Sequence, residues 1–349
     1  MFIKNIKVEN FRNYENQIIE FNKNINIIYG NNAQGKTNIL EAIFFSALGK
    51  SFRTSKEKQV IMKEKDFFKI HTEFQKKDRE GTVDLFLGND KSISVNGVKL
   101  NKLSELLGNI NIVIFSPEDI NLLKDESAVR RKFLDMMISQ LRKNYIYNLN
   151  NYKKNLEQKN NYLKSRNISD AMLDVYDEKL AEYSENVYQY RNEFIEKIKE
   201  KIKEIHSNIT DEDISIVYKT DCESKEKCLE KLKKNREKDK YRGFSSVGCH
   251  RDDFKILING DEVDIYGSQG QNRTAILSLK MAELEVINDE IGEYPILLLD
   301  DFMSELDQKR ITNFLKSINN IQVIITCTEK IDLENSTNFY VNNGKILLK

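Results

Sequence analysis

The sequence predicts a mixed α/β fold in which both ends of the chain build one head and a mainly helical lobe is inserted between them. Three observations lead there. Ile25 to Tyr29 is a short apolar strand pattern that runs into a glycine-bearing loop and then, from Thr37 to Phe44, into helical spacing. Pro295 introduces the apolar run Ile296 to Leu299, which ends in Asp300 and Asp301, as in a central parallel strand buried on both faces. Between these segments, residues 128–206 contain no glycine and repeat apolar and charged residues at helical spacing. The expected division is 1–115 and 241–349 for the two parts of the head and 116–240 for the inserted lobe.

Taken in order, the apolar strand Ile3 to Val8 comes first, followed by the loop Gly30-Asn31-Asn32-Ala33-Gln34-Gly35-Lys36-Thr37 and Asn38. Its glycines let backbone N–H groups face phosphate oxygens, Lys36 reaches the β- and γ-phosphates, and the Thr37 hydroxyl is offered to Mg²⁺. The loop opens a helix, whose N-terminus favours anions, so a nucleoside triphosphate is the expected ligand. Asn96-Gly97 within Ser94 to Lys99 suits a type I′ hairpin, and Asn259-Gly260 marks a second one. The helical lobe begins with Phe133, Leu134, Met137, Ile138 and Leu141 on one face, and Asn167 to Asp170 reads as a turn and helix cap closing a helical hairpin. Arg130-Arg131-Lys132 begins a helix, where cations oppose the dipole. Either a phosphate or acidic partner rationalises that cluster, or it is a solvated basic turn. Glu223 to Lys240, rich in Lys and Glu, reads as one solvated helix whose lysines could touch DNA.

Ser268-Gln269-Gly270-Gln271 opens an amphipathic helix with Ala275, Leu277, Met281, Leu284 and Ile287 on its apolar face. Alone it is an N-cap. Beside a phosphate loop and the acidic strand it resembles the signature of ATPases in which one subunit's serine touches the γ-phosphate held by its partner. Asp300 is then the Mg²⁺ carboxylate, and Asp301, with Lys36, carries the chemistry by orienting and deprotonating the attacking water. Two acids capping a turn at Asp301-Phe302-Met303-Ser304 are the weaker alternative.

Composition narrows the class. Lys plus Arg and Asp plus Glu are 55 each, so any nucleic-acid surface has to be a local patch. No run approaches a membrane span and the first residues carry no apolar leader, so a soluble, cytoplasmic protein is expected. Cys222, Cys228, Cys249 and Cys327 form no C-x-x-C pair and read as reduced thiols. His71, His206 and His250 show no ligand spacing, which sets aside a metal or Ser/His/Asp reading at His250.

Order and completeness of the motifs carry a resemblance. Asn10 to Tyr14, Asn31 to Asn38, Gly49 to Thr54, Phe115 to Asp119, Arg130 to Asp135, His250 to Asp253, Tyr266 to Gln271 and Ser304 to Asp307 together make the chain similar to the RecF family of bacterial DNA replication and repair ATPases. That family is related to the heads of the structural-maintenance-of-chromosomes and Rad50 proteins. The resemblance implies a P-loop ABC-type ATPase head and an ATP-dependent homodimer in which Ser268, Gly270 and Gln271 complete the partner's site. It implies slow, DNA-stimulated hydrolysis used as a switch, binding to single- and double-stranded DNA or their junctions, cooperation with RecO and RecR, help in RecA loading, and SOS induction. It also places Arg12 near nucleotide or DNA, with a surface arginine as the even alternative, and Arg53 likewise. Thr326 falls where relatives sense the γ-phosphate, and Glu118 where they link nucleotide to the helical lobe. Two departures stand out: Ala33 replaces a usual glycine, tolerable if the backbone there is not left-handed, and Cys249 replaces a commoner proline. The alternative, an ATPase subunit of a membrane transporter, fits poorly with the long, charged helical insert, and a nuclease would need a further metal-binding cluster.

Overall fold

The computed structural model describes residues 1–301, 320–331 and 333–348. The Ser304 to Asp307 motif and the turn at Phe302 to Ser304 therefore lie outside the described residues. Two compact units are formed, one from Met1–Asp119 with Glu283–Lys349, the other from Ile120–Ala282.

The first unit opens with β1 (Phe2–Phe11), β2 (Tyr14–Glu20), β3 (Ile25–Tyr29) and α1 (Lys36–Leu48), followed by β4 (Phe68–Gln75), β5 (Glu80–Leu87), β6 (Lys91–Val95), β7 (Val98–Lys99) and β8 (Ile112–Phe115). Its first sheet is antiparallel in the order β2-β1-β4-β5-β6-β7. Asn96 and Gly97 both take positive φ (51° and 77°), the backbone a type I′ turn requires. Helix α1 is apolar nearly all round and packs on β1, β4 and β5 of that sheet, as a helix without a polar face must.

The second unit continues with α2 (Asn121–Lys124), α3 (Ser127–Ser139), α4 (Lys143–Leu163), α5 (Asp170–Ser207), β9 (Ile214–Lys219), α6 (Lys225–Lys234), α7 (Arg236–Arg242), β10 (Asp253–Ile258), β11 (Asp261–Glu262) and α8 (Val263–Tyr266). Next comes α9 (Gln269–Ile291), along which the chain passes from the second unit into the first. The expected helical hairpin is α4 and α5. The Lys/Glu-rich stretch is two helices rather than one. Asn235 breaks it, with φ −94° and ψ 2° and its side-chain amide donating to the Lys231 carbonyl. This unit also runs past residue 240, because β10 pairs antiparallel with β9 and so belongs with it.

Two further expectations are corrected here. Cys222 and Cys228 are buried and joined in a disulfide instead of standing as thiols. Ser224 caps α6 and turns the chain back, closing a six-residue separation to a Cα distance of 4.4 Å. Cys249 and Cys327 are buried free cysteines. Arg130 is not solvated: it is 5% exposed, donates to both Asp253 carboxylate oxygens (2.6 and 3.0 Å), and also reaches the carbonyls of Leu122 and Asp125. The acidic partner of the basic cluster lies in its own unit. Arg191, buried on α5, ties Asp135, Asp252, Tyr145 and the Cys249 carbonyl together at 2.7–3.0 Å, so its charge is fully compensated.

The chain closes with β12 (Ile296–Leu299), β13 (Val323–Cys327), β14 (Ser336–Asn342) and β15 (Lys345–Leu348). The second sheet of the first unit has the order β15-β14-β3-β13-β12-β8. Strand β12 is fully buried between parallel neighbours β8 and β13, which is why its sequence is uninterrupted apolar. Strand β3 lies between β13 and β14, so its flanks come from the far end of the chain.

Candidate nucleotide-binding site

The loop Gly30 to Thr37 joins the end of β3 to α1, and its geometry follows from four residues. Gly30 (φ 150°) and Gly35 (φ 113°) occupy backbone that side chains rarely adopt, and a Cβ at either would lie within 2.6 Å of Val341 O or the Asn13 side chain. Ala33 has φ 63°, so the condition set for it from sequence fails: the alanine is left-handed, at a cost of about 1–2 kcal/mol. Gln34 is held from two sides. Its carbonyl accepts from Asn13 Nδ2 (2.7 Å) and Gly344 N (3.3 Å), and its side-chain oxygen accepts from Asn343 N (2.6 Å). Asn31, Asn32 and Ala33 are exposed at the rim.

Lys36 folds back, donating to the carbonyls of Gly30 (2.7 Å) and Asn31 (2.9 Å). Burial lowers its pKa, against the pull of Asp301, Cys327 and Asp300. Thr37 Oγ1 donates to Asp300 Oδ1 at 2.8 Å, and Thr326 Oγ1 donates to the same oxygen at 2.8 Å while accepting from Asp301 N at 2.9 Å. Thr326 is thus a brace for the acid pair, 1% exposed, and not the free sensor its position suggested. Burial raises the Asp300 pKa, opposed by those two hydroxyls. Asp301 leaves the strand with φ 47°, a left-handed turn that aspartate tolerates better than most residues. Two hard oxygens 2.8 Å apart, on Thr37 and Asp300, match neighbouring vertices of a Mg²⁺ octahedron, about 2.9 Å for 2.0–2.1 Å bonds, so the pair fits that cation.

Arg12 makes a bidentate pair with buried Glu41 of α1 (2.8 and 2.6 Å) and donates to the Gln59 carbonyl. Arg53 donates to Asn38 Oδ1 (2.9 Å) and lies 3.8 Å from Glu41. Asn38 Nδ2 in turn donates to Asn13 Oδ1. Both arginines therefore anchor the first turns of α1. Glu118 is exposed just after β8.

The signature segment belongs to the second unit. Ser268 N donates to Gln271 Oε1 (2.7 Å) and Gln271 N donates to Ser268 Oγ (3.2 Å), a reciprocal capping box. Gln271 Nε2 also donates to Glu212 (2.6 Å). Ser268 is exposed, and a Cβ on Gly270 would find only Ser268 Oγ, at 3.8 Å.

Comparison with known proteins gives the family and the fold. The family model "RecF/RecN/SMC N terminal domain" matches residues 2–343. The DNA replication and repair protein RecF of Clostridium botulinum is 45% identical, with 99% of each chain covered. The chain belongs to the RecF family. The solved structure of the recombination mediator protein RecF with ATP, of the RecFOR pathway, superposes with a TM-score of 0.95 at 39% identity, covering 100% of this chain and 97% of that one. An SMC head bound to the C-winged helix domain of ScpA shares the fold alone, with a TM-score of 0.60 at 17% identity over 100% of this chain and 98% of that one. The fold is an SMC-like ATPase head, as the sequence implied. Among the described residues no helix is long and apolar enough to cross a membrane.

Within this RecF-family site, sequence reasoning assigned no role to Asn13, Tyr14 or Glu41. Asn13 and Tyr14 stand in the first motif of the resemblance, and Tyr14 OH donates to the Gly35 carbonyl at 3.0 Å. A motif placed beside no ligand-binding pattern was the available signal that it braces one.

Proposed function

We propose that the chain is an ATP-switched DNA-binding protein of replication and recombinational repair, in which two copies close on ATP and separate after hydrolysis. The observation that carries this is the cluster at the mouth of the phosphate loop: Lys36 on two carbonyls it can exchange for phosphate oxygens, beside Thr37 and Asp300 sharing one hydrogen bond. In this reading Gly30 to Asn38 cradle ATP and Lys36 moves to the β- and γ-phosphates. Thr37 and Asp300 would hold Mg²⁺, whose charge, when bound, neutralises the phosphate oxygens. Asp301 orients and deprotonates the attacking water. Arg12 contributes by fixing α1 through Glu41, with three of its five donors already engaged. The ATP-bound relative supports this ligand.

Ser268, Gly270 and Gln271 of each copy would complete the partner's site. Support comes from Gly270: it has ordinary φ and open space above it, so nothing within the second unit requires a glycine there. Hydrolysis would be slow, because an aspartate is a shorter base than a glutamate. The RecFOR name of the relative supports partnership with RecO and RecR, with RecA loading and the SOS response downstream, in the cytoplasm. The test is Ser268→Arg. Monomer ATP affinity should stay within a few-fold of the parent, while ATP-dependent dimerisation in a sizing experiment and ATP-dependent DNA affinity are lost. A variant that dimerises normally with ATP would reduce the signature segment to a helix cap.

A further inference from the structure

In the second unit five cations of α6 and α7 are paired locally, while Lys233, Lys234 and Lys238 are exposed and make no ion pair with a described residue. Lys225 pairs with Glu178, Lys227 with Glu223, Lys231 with Asp221, Arg236 with Asp174 and Asp177, and Lys240 with Asp170 and Glu237. Four further unpaired cations gather around the end of α7. Lys164 and Arg166 in the turn between α4 and α5, Arg242 at the end of α7, and Arg251 are all exposed and make no ion pair with a described residue. Two aromatic rings stand among them: Tyr241 is 93% exposed, and Phe244, 38% exposed, lies 5.7 Å from the Arg251 guanidinium.

These residues form one surface. Lys240 bonds Asp170 and Arg236 bonds Asp174, which holds α7 along the start of α5. A Cβ on Gly243 would sit 3.3 Å from Lys164 Cγ, and Ser245 N donates to Asn160 Oδ1 at 2.8 Å, fastening the end of α7 to α4. Arg251 is also singled out within its own motif. His250 bonds Tyr152 OH, Asp252 bonds Arg191, and Asp253 bonds Arg130, so Arg251 alone of the four is exposed.

A tyrosine ring left in water buries almost no apolar area and contributes little to folding. Lys164 and Arg242, at the C-termini of α4 and α7, complement the helix dipoles, which accounts for two of the four cations and for neither ring. Exposed cations beside one open tyrosine ring and one phenylalanine ring backed by Arg251 suit a nucleic-acid strand whose bases are unstacked. The cations take phosphates and the rings take bases, whereas a duplex keeps its base faces stacked against one another and offers the rings nothing. Resting on the DNA-binding reading above, we propose that Lys164, Arg166, Tyr241, Arg242, Phe244 and Arg251 form a single-stranded DNA platform on the helical unit.

Fluorescence anisotropy of the full chain with ATP and Mg²⁺, using labelled oligothymidine and a duplex of equal length across a salt series, tests this. Tyr241→Ala with Phe244→Ala should weaken oligothymidine binding about 30-fold or more while leaving duplex affinity and the salt slope as in the parent. Arg242→Gln with Arg251→Gln should weaken both DNAs and flatten the log–log salt slope for oligothymidine by about 1.4, for two lost phosphate contacts. Unchanged ATP affinity in all variants controls for folding. A parent that binds oligothymidine with variants that bind it equally well overturns the platform. A parent that binds neither DNA in any nucleotide state overturns the DNA-binding reading itself, so the two failures are distinct.

Discussion

The phosphate loop and the signature turn are both helix N-termini with glycines, yet they are built in opposite ways. In the loop three side chains are committed internally: Lys36 to two carbonyls, Thr37 to Asp300, and Gln34 to Asn343, while the Gln34 carbonyl takes Asn13. Its glycines are demanded by crowding and by positive φ. At the signature turn Ser268 is exposed, the capping box is the local structure, and Gly270 is crowded by nothing. A site finished from within recognises a ligand by exchanging partners it already has. One left open would, in the function proposed above, be finished from outside.

The contrast can be broken experimentally, beginning with the largest effect. Asp301→Asn should leave Mg²⁺-dependent ATP binding intact and slow single-turnover hydrolysis by about 10²- to 10⁴-fold, since an amide cannot take the water's proton. Hydrolysis at the parental rate would move the base elsewhere, Glu305 being the next acid in sequence. Lys36→Ala removes two charge-assisted bonds that the ammonium would transfer to phosphate, each about 1.5–3 kcal/mol. ATP affinity by titration calorimetry should fall on the order of 100-fold or more, and equal affinity would refute the exchange.

Gly270→Ala separates the two designs most sharply. With open space for a methyl group, the helix should gain up to about 1 kcal/mol, so the urea midpoint without nucleotide rises slightly while the ATP dimer weakens. A variant that dimerises as well as the parent would remove the reason for a glycine there. Ala33→Gly is the smallest change. It relieves left-handed strain of about 1–2 kcal/mol and returns about 0.4–1 kcal/mol to the unfolded chain's entropy. A net stabilisation between about 0 and 1.6 kcal/mol should appear in the same urea measurement, and a loss of stability would show that the alanine is not strained.

What was legible in the sequence was local. The loop is contiguous, β12 announces itself as four buried residues in a row, and the two Asn-Gly turns carry the backbone they require in their own composition. What was not legible depends on distant partners. Asn13 reaches Gln34 and Asn38 across 21 and 25 residues, and Arg130 finds Asp253 across 123. No periodicity encodes such pairs. The cysteines were misread because a capped turn, and not a C-x-x-C spacing, brings them together. Thr326 was assigned to phosphate because the end of its strand was legible, while the hydroxyl's engagement with Asp300 and Asp301 was not.

Strand β3 and the loop it carries are made early in the chain, but β13 and β14 flank that strand, and the turn that grips Gln34 contains Asn343 and Gly344. A growing polypeptide therefore displays the loop's sequence without its shape. At about 5–20 residues per second, tens of seconds of synthesis separate the two. A nucleotide that binds the shaped loop would consequently stabilise only chains in which Asn343 and Gly344 have been made.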